Sequence, residues 1–526
     1  RFASGLFEPM SLRVRDGDVY VFGREGIVRL NDRNGDGEAD FYENFSNLPI
    51  QSIESREYPL SMVEKPGGGF YLAKGGALDN GPKTAPQTMP GFRAGSSHSG
   101  SVVQVAPDGR SVHLFATGLR EPYLGIHPQT GLVTASDQQG NFVPSTPIFV
   151  IQEGDFLGVP PTAHVDPIPE PTPPLTWVPH EVDPSGAEQV WAVDSQMGPL
   201  DGELLHLSYG RYAPYLILTD SLGEAKQGGI LKLPVAFPGP VMKGEVHPEE
   251  GDLYLIGFQI WGSQATGVSG FYRLRYTGQP LLLPEAVEAG QEGLVLRFNA
   301  PLDSSATDVR NYSLRRWNYQ RTSSYGSGHF RLDGTSGQEA LPVVEAQLSA
   351  DRRAVLLAAP DMQEVMQMAL GYNLTSADGT SAADTLYLTV NQLEDLDLEK
   401  DGFTPVQALA EGAQMPAAQP VEQTAGVTPT AERGSHLYLE IGCVACHSTD
   451  GSMAGKVGPS FKGLFGSTKH FSDGTSREAD AAYLRQSILE PSSQIVEGFD
   501  EGMPVYQGIL SDADVEAIVL FIESLE

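Results

Sequence analysis

Apolar and polar residues alternate in short runs through the first half of the chain, and each run follows a Gly/Asp turn. The runs are "DGDVYVFG" from Asp16, "GGGFYLAKG" from Gly67, "TGLVTASDQ" from Thr130, "DGELLHLSYG" from Asp201 and "EGDLYLIGF" from Glu250. Each precedes a second strand-like run: "EGIVRL", "GSVVQVAPDG", "TPIFVIQEGD", "GGILKLP" and "GFYRLRYTG". Period-two alternation between tight turns predicts antiparallel strands. A strand-pair unit that recurs along the chain predicts propeller blades. "FASGLFEPMSLRV" is echoed by "FATGLREPYLGIH", so the repeat extends to the blade corners. The pattern predicts a propeller of five to six blades over residues 1–282, with its N-terminus truncated or processed before "RFASGLFEP".

Residues 283–392 change in character. "GLVLRFNAPLD", "NYSLRRWNYQ", "RAVLLAAPD" and "DTLYLTVNQL" are strands between long turns, and predict an Ig-like β-sandwich. The stretch "WNYQRTSSYGSGHF" combines aromatic area with polar donors, which suits a carbohydrate surface or, as the safer reading, a docking surface between domains. Residues 393–431 are poor in aromatics and rich in Ala, Pro, Gln and Thr, which predicts an extended linker that lets the last domain swing. Helical periodicity appears only beyond it, in 432–526. "SREADAAYLRQSILEP" predicts a helix stopped by Pro491. "SDADVEAIVLFIESLE" predicts a helix with Ser511 as N-cap and Asp514 in the capping-box position. The fold class is therefore multidomain and mainly β, with a C-terminal all-α domain.

Charge and cysteine content narrow the function. The chain has 526 residues and a formal net charge of -33, which argues against nucleic acid and against an anionic membrane surface. It suits a periplasmic, extracellular or cell-surface protein, or one with basic partners; a redox partner protein is implied only by the cysteine motif near the C-terminus. No apolar run is long enough for a transmembrane segment. The 2 cysteines, Cys443 and Cys446, stand in "IGCVACHSTDG", followed at once by His447. That C-x-x-C-H spacing is a c-type heme attachment site, with heme c held at both sulfurs and iron bound by His447. "NDRNGDGEADFYE" satisfies the EF-hand calcium pattern, with Asp32, Asn34, Asp36, Glu38, Asp40 and Glu43 as ligands for Ca2+. Its flanks read as strands and not as helices.

With these motifs in place, residues 432–526 resemble a class I cytochrome c domain. The resemblance implies a turn at Gly458 and Pro459 whose carbonyl receives the proximal His N–H. It also implies a distal Met from a late loop, which Met503 in "EGFDEGMPVYQG" supplies. Met453 stands too close to the attachment motif, and His470 is the rival ligand. Residues 115–160 resemble the glucose/sorbosone dehydrogenase propellers that bind pyrroloquinoline quinone (PQQ), and the whole order of motifs resembles bacterial propeller–cytochrome c fusion proteins. By that resemblance Arg120 matches a quinone-holding Arg, although Glu121 replaces the usual Asn. His98 in "SSHSGS" and Asp137 at the end of an inner strand are the candidate bases. Two readings stay open: a propeller that oxidises a sugar or alcohol and passes electrons to the heme, or a non-catalytic electron relay or structural protein whose propeller and sandwich bind polysaccharide or a partner protein.

Overall fold

The computed structural model describes the chain except residues 51, 53–55, 77–95, 221–225, 260–264, 407–418, 421–427, 454–455, 500–501 and 526. Among the described residues, five antiparallel sheets follow one another from Ser11 to Leu274. The first comprises Ser11–Arg15, Asp18–Gly23, Gly26–Asn31 and Phe41–Ser46. The second comprises Ser61–Glu64, Phe70–Lys74, Ser101–Val105 and Val112–Thr117, with Asp155–Phe156 added in parallel. Tyr123–Ile126, Val133–Ser136, Thr146–Ile151 and Thr176–Val178 form the third. The fourth is Gly186–Trp191, Leu204–Ser208, Pro214–Thr219 and Gly228–Lys232. The fifth has three strands, Lys243–Val246, Leu253–Phe258 and Ser269–Leu274. The first strands of successive sheets lie side by side, which is the arrangement of a β-propeller.

Every strand run singled out by the alternation is a strand here. In four sheets the two runs of a unit pair directly, as in Val21↔Val28 and Leu72↔Val103. In the fourth sheet they do not, because Pro214–Thr219 lies between them. The outward faces at the two ends of the series stay apolar and exposed: Leu12 and Val14 on the first sheet, Ile256, Phe258 and Phe271 on the fifth.

Glu188 ties the inner strands together. Its Oε1 accepts from Arg13 at 3.3 Å and Ser61 Oγ at 3.2 Å and lies 3.5 Å from Lys243 Nζ, while Oε2 accepts the Gly244 N–H at 3.4 Å. These partners belong to the first, second and fifth sheets, and Glu188 itself to the fourth. Leaving a carboxylate this deeply buried without such partners would be costly.

Residues 284–390 fold as two sheets packed face to face. One is Pro284–Gly290, Gly293–Phe298, Ala354–Ala358 and Glu345–Leu348; the other is built on Tyr312–Trp317, Val365–Thr375 and Ser381–Val390. Phe298 meets Tyr372 edge-on at 5.7 Å between them. The second sheet is continuous with the propeller, because Gly228, Gly229 and Ile230 pair with Thr389, Leu388 and Tyr387.

The stretch after residue 392 is less free than a linker. Leu396, Phe403 and Val406 are buried against Val295, Leu356 and Ala358 of the first sandwich sheet. Gln419–Pro420 pairs with Glu339–Leu341. Residues 407–418 and 421–427 of the expected linker lie outside the described residues.

The C-terminal region is helical: Ala431–Glu440, the one-turn Cys443–Cys446, Ala481–Leu489 and Asp512–Glu523. The last helix has the expected capping box between Ser511 and Asp514. The helix expected from Ser476 begins instead at Ala481. Asp480 caps it by accepting the Tyr483 N–H at 2.7 Å, and Ser476–Glu478 pairs as a strand with Thr468–His470. Leu437, Tyr438, Phe461, Tyr483, Leu484, Val515, Ile518 and Val519 close a separate core around the attachment turn.

Candidate heme site and propeller face

The helix Ala431–Glu440 ends at Ile441, and Gly442 at φ 89° turns the chain into the Cys443–Cys446 turn, where a residue with a Cβ would be strained. The turn sets both thiols and His447 on one short stretch. His447 Nδ1 lies 2.7 Å from the Pro459 carbonyl. That contact makes Nδ1 the protonated nitrogen and leaves Nε2 free to bind a metal. Gly458 is needed there: a Cβ would come within 2.6 Å of His447 Cε1. The ring also stacks on Phe461 at 4.6 Å, and Tyr438 donates to the His447 carbonyl at 2.7 Å. Burial holds the imidazole below its usual pKa, with the Pro459 carbonyl opposing, so the ring stays in its neutral, ligating form.

Both cysteines are free. Burial pushes the Cys443 thiol up to about 12 and raises Cys446 as well. A redox dithiol works through a lowered thiol pKa, and burial here shifts both thiols the other way. Met503 is half-buried and packs against the same core as Cys443. Met453 and His470 are exposed, His470 on the short Thr468–His470 strand. These residues fit a heme: an imidazole with a free nitrogen stacked on Phe461 of the core, two unpaired thiols, and the Met503 thioether packed with Cys443 against that core.

The acidic loop behaves differently. Asp32 accepts the N–H groups of Gly35, Asp36 and Gly37, Asn34 accepts that of Asp36, Asp36 that of Glu38, and Asp40 that of Arg33. Glu43 is not a member of the loop. It stands on the strand Phe41–Ser46, opposite Arg29 in register, and pairs with that guanidinium at 3.5 Å. The strand-like flanks account for this, since no exiting helix brings Glu43 back. Among the described residues no three His, Cys, Asp or Glu side chains converge as a metal site.

Arg120 and Asp137 do come together, but as a turn. Asp137 Oδ2 accepts the Arg120 N–H at 2.8 Å, and Oδ1 accepts those of Glu121 at 2.6 Å and Gln138 at 2.8 Å. Burial raises the Asp137 carboxyl to about 6 against the pull of these donors. The Arg120 guanidinium is buried, 3.5 Å from Glu121, and lies 5.4 Å from the Tyr325 ring centre. Glu121 is also paired with Arg56. His98 has a different set of partners. Its Nδ1 accepts the Ile50 N–H at 2.9 Å, and burial lowers its pKa, helped by Lys74 and His164. Lys74 and Glu57 beside it form a fully buried pair at 2.8 Å.

The 317–330 stretch, read from the sequence as a carbohydrate surface or, more safely, as a docking surface between domains, makes contacts on both sides. Arg321 donates to the carbonyls of Phe142 and Gly158, Asn141 to that of Ser323, and the Gly326 N–H to that of Gly140. At its other end the His329 N–H donates to the Gln507 carbonyl at 3.0 Å, and Arg211 of the propeller donates to the Glu440 carbonyl at 3.1 Å. The loop therefore spans from the propeller face to the heme-bearing region. Its aromatic and polar composition was the available signal.

Residues 431–526 match the family Cytochrome c. No curated protein matches the chain. Among solved structures it is similar to a glucose dehydrogenase, at 13% identity over 53% of this chain and 86% of that one, with a TM-score of 0.37. It is also similar to a putative oxidoreductase (glucose dehydrogenase) of Thermus thermophilus, at 17% identity over 48% and 91%, TM-score 0.28. A third is the apo-form of the soluble aldose sugar dehydrogenase of Escherichia coli, at 13% identity over 49% and 75%, TM-score 0.31. At these scores the propeller rests on its own five sheets and not on the likeness. The chain is a β-propeller carrying a C-terminal cytochrome c domain.

Proposed function

We propose that the chain is a periplasmic or cell-surface electron-transfer protein whose heme c would be attached at Cys443 and Cys446, with His447 and Met503 as the residues that would ligate its iron. A bound heme supplies reversible one-electron chemistry, and His/Met ligation raises its potential while filling both axial positions. The observation that carries this reading is His447 Nδ1 held 2.7 Å from the Pro459 carbonyl, with Nε2 free beside two unpaired thiols. The chain's own task is to fix that ring and to supply the Met503 thioether from the core that Cys443 also packs against. Met503→Ala should abolish the sulfur–iron charge-transfer band and lower the potential by about 0.2 V, within the span of about 0.8 V that axial ligands command. A band that survives the substitution contradicts the ligand assignment.

A second reading is favoured by one observation: Asp137, raised to about 6, sits under the Arg120 turn on the propeller face that the 317–330 loop connects to the cytochrome. In this reading Asp137 or His98 would take the proton of a sugar or alcohol hydroxyl, and PQQ with Ca2+, if bound, would supply the two-electron oxidation. Purified holoprotein supplied with PQQ and Ca2+ should then reduce its heme when given an aldose. Heme that stays oxidised with every sugar tested leaves the non-catalytic relay, with carbohydrate or a partner protein as the bound species.

A further inference from the structure

A cleft of about 240 Å³ opens where the 317–330 loop meets the cytochrome domain. One wall is the loop, from Gln320 to Phe330. The other is the end of the helix Ala481–Leu489, the turn after it, and the stretch that carries Val505 and Gln507. Two glycines let these walls meet. A Cβ on Gly328 would lie 2.3 Å from the Gln507 carbonyl, and one on Gly508 would lie 2.4 Å from the His329 carbonyl. The His329 N–H donates to the Gln507 carbonyl across the junction at 3.0 Å. The cleft is complete only while the two parts are docked.

Its lining selects a class of ligand. Among the described residues no Lys, Arg or His lines the cleft, so no charged donor is there to hold an anion. The single carboxylate, Glu490, is exposed and by itself too few for a hard dication. The other polar side chains are hydroxyls and amides, among them Gln320, Ser324 and Gln507. Hydroxyls and amides both donate and accept, which matches a ligand whose own groups do both. The side chains of Gln320, Ser324, Gln507 and Glu490 have no hydrogen-bond or ion-pair partner among the described residues, so they can turn to a ligand at no cost to the fold. Phe330 and Pro491 add apolar surface for the C–H face of a ring. The volume is below the roughly 300 Å³ at which pockets for drug-sized ligands begin, which limits the occupant to one small ring.

We propose that this cleft binds one neutral sugar unit, free or at the end of a chain, at the junction of the sandwich loop and the cytochrome domain. The inference deepens the relay reading above, in which carbohydrate is the bound species, and rests on it. Because both walls hold the ligand, its binding stabilises the docked arrangement.

The test titrates the full holoprotein, without PQQ, with D-glucose, D-galactose, cellobiose and maltose, and with glycerol as the control, read by saturation-transfer NMR. At least one sugar should bind. Saturation confined to one terminal ring of a disaccharide identifies a chain end as the ligand, and saturation of a monosaccharide alone identifies the free sugar. Binding should weaken by about tenfold in the double variant Gln320→Ala, Gln507→Ala, which removes two hydrogen-bonding side chains. Ser324→Trp fills the cleft and should abolish binding. Absence of binding by every sugar, equal binding of glycerol, or undiminished binding in either variant overturns the proposal. Failure of the relay reading looks different: with PQQ and Ca2+ added, a sugar then reduces the heme, whatever happens at the cleft.

Discussion

His447 owes its orientation to neighbours that carry no metal-binding chemistry of their own. The Pro459 carbonyl fixes its tautomer, and the missing Cβ of Gly458 makes room for its ring. Asp137 is the contrasting case, a carboxylate buried to hold a turn. Its pKa is raised from 3.8 to about 6, so the folded state binds that proton more tightly than the unfolded state. Its contribution to stability therefore falls as pH rises from 3.8 to about 6 and is level above that. At about 1.4 kcal/mol per unit, the change is on the order of 3 kcal/mol. Asp137→Asn cannot titrate, so the wild-type urea midpoint measured against the variant's should decline with pH across this window. Parallel curves would show that the carboxyl is not held protonated by burial. If Asp137 is also the base of the second reading, heme reduction by substrate would need pH above about 6, where it is ionised.

Among the elements, the inner strands are joined by one charge cluster. Glu188→Ala leaves Arg13 and Lys243 without their counter-charge, and the pair of cations should cost about 3–5 kcal/mol. A shift of the propeller's urea midpoint measures this, and a shift within error would mean that the cluster does not tie the sheets. The strands that carry it were legible because alternation and Gly/Asp turns are local signals. The C-x-x-C-H motif was legible for the same reason, since covalent attachment needs its groups within five consecutive residues. What was not legible is pairing across long separations. Nothing local in "GGILKLP" announces that Gly228 pairs with Thr389. The stretch after residue 392 was read by its average composition, although Leu396, Phe403 and Val406 are enough to bind it to the sandwich. The acidic loop matched a pattern whose last position depends on a following helix, and the strand that follows it gave Glu43 to Arg29.

At the scale of the molecule, propeller, sandwich and cytochrome are joined by a shared sheet and by the 317–330 loop, which touches both ends. That loop joins the redox end to the propeller and the sandwich. The central claim is that one covalently held heme, ligated by His447 and Met503, carries electrons singly. An equilibrium redox titration of the purified holoprotein, followed through its visible spectrum, tests this directly. The account predicts a heme that resists extraction by acidified acetone and titrates in one reversible step of about 59 mV per decade, at a potential that falls in Met503→Ala. Heme lost to extraction, or a potential unmoved by that substitution, would contradict it.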